Sequence, residues 1–266
     1  MNYKTLNDSP FWLSLQQRTD LQEHGNLNAA LYALELHNGI SDIMSLAPEI
    51  ITEGGDDENI DLLYVDLYSA SIYVVQSFQS PNFRAQGARP NKARDSSYAV
   101  TALFTMSIDD IPNRIREQVI EAREAIRADL IKNIHIWFIH NCPETDECKR
   151  IMDGVAAQAA TILRGQQKSN IVVDASEVGL ETLDQLYRSQ QNAILITDVI
   201  QTPNNAGFIE YSKTGWQAFS TSVSAAFLKK LYDRYGENKL FSANVRSYMG
   251  SNNKDQAING QIKKAH

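Results

Sequence analysis

Between Glu53 and Phe78 the chain carries residues whose types and spacing could do chemistry. An acidic segment, Glu53-Gly-Gly-Asp-Asp-Glu-Asn-Ile-Asp61, leads into the β-rich run Leu-Leu-Tyr-Val-Asp66, and ten residues further on stands Gln76 in Val74-Val-Gln76-Ser-Phe78. If the two apolar runs pair as a hairpin, Asp61 opens one strand and Gln76 lies near the end of the other, so their side chains converge at one end. A carboxylate and an amide oxygen so placed can hold a hard divalent cation, usually magnesium. An amine two residues beyond the amide would then assist the attack of water on a phosphodiester. That position is Phe78, which can neither donate a proton nor balance phosphate charge, so weak or absent cleavage is expected. Lys92 and Arg84 are the candidates to reach the site in its place. Read more plainly, the segment is a hairpin with an acidic turn, in which Asp56 and Asp57 beside Gly54 and Gly55 need face no cation.

A helix ahead of the hairpin could add a carboxylate, and Glu35 in the run Ala30–Gly39 is the best-placed candidate; its simpler role is a solvent-facing helical residue. A second polar group is the basic stretch Arg84, Arg89, Lys92 and Arg94. With Gly and Pro among few apolar anchors, it reads either as a solvated loop or as a flexible phosphate-contacting arm, and the segment 84–97 is expected to be poorly ordered without a ligand. Cys142 and Cys148 with His140 could be half of a zinc site, but no second Cys/His pair follows downstream, which favours ordinary reduced thiols. Trp12, Trp137 and Trp216 fall within apolar patterns and read as packing residues.

The elements that must position these groups alternate. The stretch from Pro10 to Ser45 has helical spacing and suits two or three helices, and the runs 60–66 and 71–78 make an antiparallel hairpin. The pattern then predicts a helix over 111–131, a strand over 133–140, a helix over 147–163, a strand over 170–174, a helix over 179–189 and a strand over 193–200. A further strand over 208–211 and a helix over 221–235 follow. Such an order predicts an α/β fold with part of its sheet parallel. The 266 residues are 43% hydrophobic and 21% charged, enough for a sizeable core. A net charge of −7 argues against coating nucleic acid by general electrostatics, while leaving room for a local basic site. No run approaches a membrane span, and no secretory pattern opens the chain, so a cytoplasmic location is expected.

One carboxylate, then an acid or amide, then a lysine two residues on is the arrangement of PD-(D/E)XK nucleases. The segments Ile51–Asp66 and Ile72–Ser80 together resemble the N-terminal nuclease-like region of the abortive infection phage resistance (AIPR) family, in which Gly-Gly-x-Asp-Gly-Gly-Ile-Asp precedes a strand ending in Gln-x-Lys. Here the second glycine pair is Glu58 and Asn59, and the lysine is Phe78. A separate segment, Leu240-Phe-Ser-Ala-Asn244-Val-Arg246-Ser-Tyr-Met-Gly250 followed by Ala257-Ile-Asn259-Gly-Gln-Ile262, is similar to that family's Asn-Val-Arg-x-x-Leu-Gly and Val-Asn-x-x-Ile segments. By themselves, Asn244 and Arg246 could serve a helix end and a salt bridge, or a phosphate contact.

The resemblance implies a restriction-endonuclease-like mixed sheet, a hairpin core flanked by helices, over residues 1–212. Residues 213–266 would be the helical start of the AIPR region, cut short at His266. It implies phage defence through a magnesium-dependent nuclease, catalytically impaired here, with Asp61, Gln76 and Glu35 at the site and Asp61 and Gln76 on the metal. The alternative is a scaffold that no longer cuts and binds nucleic acid or a phage or host protein; self-association as a homodimer is a further partnership, and no membrane is involved. A body that binds a nucleotide lacks a phosphate-cradling glycine loop to support it.

Overall fold

The computed structural model describes residues 3–52, 54, 58–191, 209–213, 216–220 and 223–235. The chain divides into two compact units, Met1–Arg188 and Ser189–His266, so the boundary expected at 212/213 falls inside the second.

The first unit is α/β. Helices α1 (Pro10–Gln17), α2 (Asn28–Asn38) and α3 (Ile43–Ile50) precede the hairpin β1 (Leu62–Asp66) and β2 (Ser71–Phe78). Then follow α4 (Pro90–Phe104), α5 (Asn113–Arg127), β3 (Asn133–His140), α6 (Asp146–Gly165), β4 (Val172–Val178) and α7 (Leu180–Gln191). The sheet order is β1-β2-β3-β4, with β1 antiparallel to β2 and the other pairs parallel. Alternating side chains send Leu63, Ile72, Val74, Ile134, Ile136 and Phe138 to one face, beneath α4, α5 and α6. Leu62, Tyr73, Val75, Trp137 and Ile139 go to the other, against α1, α2 and α3. Two buried faces explain why β3 reads as an almost unbroken apolar run.

Local chemistry sets several helix ends. Ser9 caps α1 by accepting from Trp12 N with Pro10 at the first helical position, and Thr145 caps α6 by accepting from Cys148 N. The segment 84–97 differs from the expected flexible arm, because helix α4 starts at Pro90 and carries Lys92 and Arg94 in its opening turns. Its buried face is made of small residues, Ala93, Ser96, Ala99 and Val100, with Leu103, so its apolar stripe is easily missed. Arg123 of α5 closes the other end by donating to the carbonyls of Ala102, Leu103 and Met106.

The face under α2 holds a ring of titratable aromatics. Tyr64, Tyr73, His135 and Asp174 are register partners across all four strands, with the Tyr73 and His135 rings stacked at 4.8 Å. His37, in the last turn of α2, stands edge-on to Trp137 at 4.9 Å and 6.2 Å from His135, whose Nδ1 is 2.6 Å from Asp174 Oδ1. Burial, and then the neighbouring His135, push His37 from its ordinary 6.5 down to about 4. The unfolded chain therefore takes up this proton first as pH falls, and stability is lost between pH 6.5 and about 4. The loss from this residue is expected to be roughly 2–3 kcal/mol. Denaturant unfolding at the two ends of that window should show a pH dependence smaller by this amount in His37→Gln. An equal dependence in the two proteins would show that His37 does not titrate in this way.

In the second unit, β5 (Ile209–Lys213) and β6 (Trp216–Ser220) form an antiparallel hairpin, and α8 spans Ala225–Tyr235. The strand expected over 193–200 and the segments Leu240–Gly250 and Ala257–Ile262 lie outside the described residues, as do Asp56 and Asp57. No helix of the described residues is long and apolar enough to cross a membrane.

Candidate cation site

The hairpin register decides the geometry at its open end. Leu62 pairs with Val75 where β1 begins, and Asp61, one residue ahead of the strand, donates from N to Val75 O at 2.8 Å. Opposed residues of an antiparallel pair share a face. Gln76, two residues beyond Val74 on β2, stands on the face of Leu63, Ile72 and Val74, under the helices that follow the hairpin.

Protein donors hold both groups. Ser77 N donates to Asp61 Oδ2 at 2.6 Å, and the Ser96 hydroxyl of α4 donates to Gln76 Oε1 at 3.0 Å. Gln76 is only 6% exposed. Phe78, two residues on, packs partly buried against the apolar cluster of this face, beside its register partner His140. The turn that delivers Asp61 passes through Glu58 and Asn59 with φ of 52° and 61°. This is the left-handed region that glycine adopts most cheaply.

Glu35 is not brought to this site. The apolar residues of α2, Leu31 and Leu34 among them, pack with Val75 and Trp137 on the opposite side of the sheet, and Glu35 binds Arg18 at 2.7 Å there. The basic residues are also dispersed. Arg84 donates to Gly87 O, Arg89 is the N-cap of α4, Lys92 lies 3.5 Å from Asp95, and Arg94 lies 3.5 Å from Glu147.

The cysteines belong to the core. Cys142 and Cys148 are buried free thiols, and burial pushes Cys142 up to about 11, far from a metal-binding thiolate. His140 instead donates from Nε2 to Glu177 Oε1 at 3.0 Å, while its Nδ1 accepts from Cys142 N at 3.3 Å. A ring nitrogen that accepts carries no proton, so the ring hydrogen that faces Glu177 is on Nε2. Thr145 N, at the positive end of α6, donates to Glu177 Oε2 at 2.9 Å. The ring lies against Gly179, where an added Cβ would come within 2.9 Å of His140 Cε1 and 2.7 Å of Cys142 O. Sequence reasoning missed this pair, although Glu177 alternates with Val173 and Ala175, which marked it as an inward-facing carboxylate in need of a partner. A polar cleft of about 460 Å³ lined by Glu144, Lys149, Asp153 and Glu177 opens beside β4, at the opposite edge of the sheet from Asp61.

Among the described residues no group of three or more His, Cys, Asp or Glu is placed to hold a metal. Asp61 and Gln76 offer one carboxylate and one amide oxygen. That is a fitting set for magnesium, which takes one or two carboxylates and keeps several of its waters. Comparison of the chain with protein-family models, curated protein sequences and solved structures finds no match.

Proposed function

We propose that this chain is a nuclease-derived phage-defence protein of the AIPR type, with a restriction-endonuclease-like first unit whose hydrolytic site has been disarmed. The observation that supports the reading is the Asp61 carboxylate held on Ser77 N, the neighbour of Gln76, at the open end of the hairpin, with a packed phenyl ring two residues beyond Gln76. The left-handed backbone at Glu58 and Asn59 adds support, because these are the two positions at which the resembling family has glycine. Asp61 and Gln76 would hold a magnesium ion, which when bound polarises a phosphate oxygen and acidifies a water. Without an amine beside it, water attack lacks the group that assists it. The alternative, a scaffold that binds nucleic acid or a phage or host protein without cutting, is favoured by the anchoring of Phe78 in the core.

The purified chain, incubated with single- and double-stranded DNA and RNA in magnesium or manganese, is expected to cleave no faster than its Asp61→Ala variant. Robust cleavage that disappears in Asp61→Ala would overturn the disarmed-site reading and point to another residue in the lysine's role.

A further inference from the structure

We propose that one end of the four-stranded sheet is the surface on which a second copy of this chain docks. Eight large apolar or aromatic side chains stand exposed among the described residues, and four of them, Leu67, Tyr68, Leu130 and Val172, belong to that end. Leu67 and Tyr68 lie in the β1–β2 turn, Leu130 lies between α5 and β3, and Val172 opens β4. Backbone bonds set these segments side by side, since Lys132 N donates to Ala70 O at 2.7 Å and Val172 N donates to Lys132 O at 2.9 Å. With neighbouring strands about 4.8 Å apart, the four side chains rise from a row roughly 15 Å long. Asp66 fixes the turn by accepting on Oδ1 from Tyr68 N at 2.9 Å and Ser69 N at 3.3 Å. A single exposed apolar residue, such as Leu13 on α1 or Tyr98 on α4, is ordinary, whereas a group of them covering on the order of a few hundred Å² marks an interaction site.

The charges of the row select the occupant. Its segments 66–70, 129–132 and 168–172 carry two acids, Asp66 and Asp129, and two lysines, Lys132 and Lys168, and so sum to zero on a chain of net charge −7. Lys168 is already paired with Asp129 at 2.6 Å, which leaves Asp66 and Lys132 as charges of opposite sign. An anionic lipid surface is repelled by the rest of such a chain, and a strongly charged partner finds no excess of either sign to meet. A second copy brings the complement with it. A two-fold axis between β2 and β3 sets the turn of one copy, with Asp66 at its base, opposite Lys132 and Val172 of the other, so that each contact is made twice. Counting both copies, the row and its rim fall near the roughly 1,200 Å² lower limit of stable interfaces, so the dimer is a reversible one with a Kd on the order of 10 µM.

Sedimentation velocity of the full chain from about 1 to 200 µM tests the assignment, because that range brackets the expected Kd. The unaltered chain is expected to pass from monomer toward dimer as concentration rises. Tyr68→Glu and Val172→Glu each put a charge where an apolar contact is buried between copies, and each should weaken association at least about 10-fold. Tyr98→Glu, equally exposed but on α4, should leave it unchanged. All three positions are exposed, and thermal melts of the variants check that the fold is kept. A monomer at every concentration would overturn the proposal, as would a monomer that floats with phosphatidylserine vesicles, since the occupant would then be lipid. A dimer that persists in either Tyr68→Glu or Val172→Glu, or that is lost to the same extent in Tyr98→Glu, would put the contact on another surface and overturn it as well.

Discussion

Phe78→Lys is expected to give this chain a metal-dependent nuclease activity at least about 100-fold above that of the unaltered protein, since a positioned group that assists proton transfer contributes roughly 10²- to 10⁴-fold. The geometry favours the gain. Position 78 follows Gln76 by two residues on β2, so an amine there emerges on the same face as Gln76. The phenyl ring is partly buried against the apolar cluster, so its loss should lower stability by about 1 kcal/mol. Lysine can lay its methylenes along that surface and keep its ammonium at the edge, which limits the cost. Cleavage by Phe78→Lys that vanishes when Asp61→Ala is added would mark a preserved site missing one group. Absence of cleavage in the lysine variant, if it folds and still binds manganese, would favour the scaffold reading, because the hairpin would then retain only the outline of a hydrolytic site.

The second large effect concerns stability. Asp184 of α7 is fully buried and accepts from the Tyr3 hydroxyl at 2.8 Å, the Ser9 hydroxyl at 2.6 Å and Phe11 N at 3.1 Å. One carboxylate thus fastens the N-terminal segment, including the buried Phe11 and Trp12, to the last helix of the first unit. Burial, and then the bond to Asp184, raise the Tyr3 hydroxyl above the ordinary tyrosine range. Asp184→Ala takes the acceptor from the Ser9 hydroxyl and Phe11 N, at about 1–3 kcal/mol each, and leaves the Tyr3 hydroxyl the Leu180 carbonyl at 3.3 Å, with the relief of a desolvated charge as a partial offset. A net loss of about 3–5 kcal/mol is expected in urea unfolding. Asp184→Asn, which keeps one acceptor oxygen, should lose less. A loss below about 1 kcal/mol in Asp184→Ala would show that the N-terminal segment is held by its apolar contacts alone.

What could be read from the residues is what local periodicity dictates. Alternation in 62–66 and 71–78 with only four residues between them leaves little choice but a hairpin, and the run 133–140 is apolar on both sides because both of its faces are covered. Helix α4 escaped because its buried stripe is alanine and serine, while Pro90, which starts it, reads locally as a breaker.

Other features depended on tertiary packing alone. Glu35 has the right residue type and lies on a helix, but the side of the sheet on which a helix packs is a global property, and α2 covers the face away from Gln76. The Ser96–Gln76 bond joins residues on α4 and β2, and the His140–Glu177 pair exists only because β3 and β4 run parallel in a register that puts both side chains on one face. Sequence spacing within one element determines which residues share a face; it holds no record of which face meets which, because that choice is made by the packing of all the layers together.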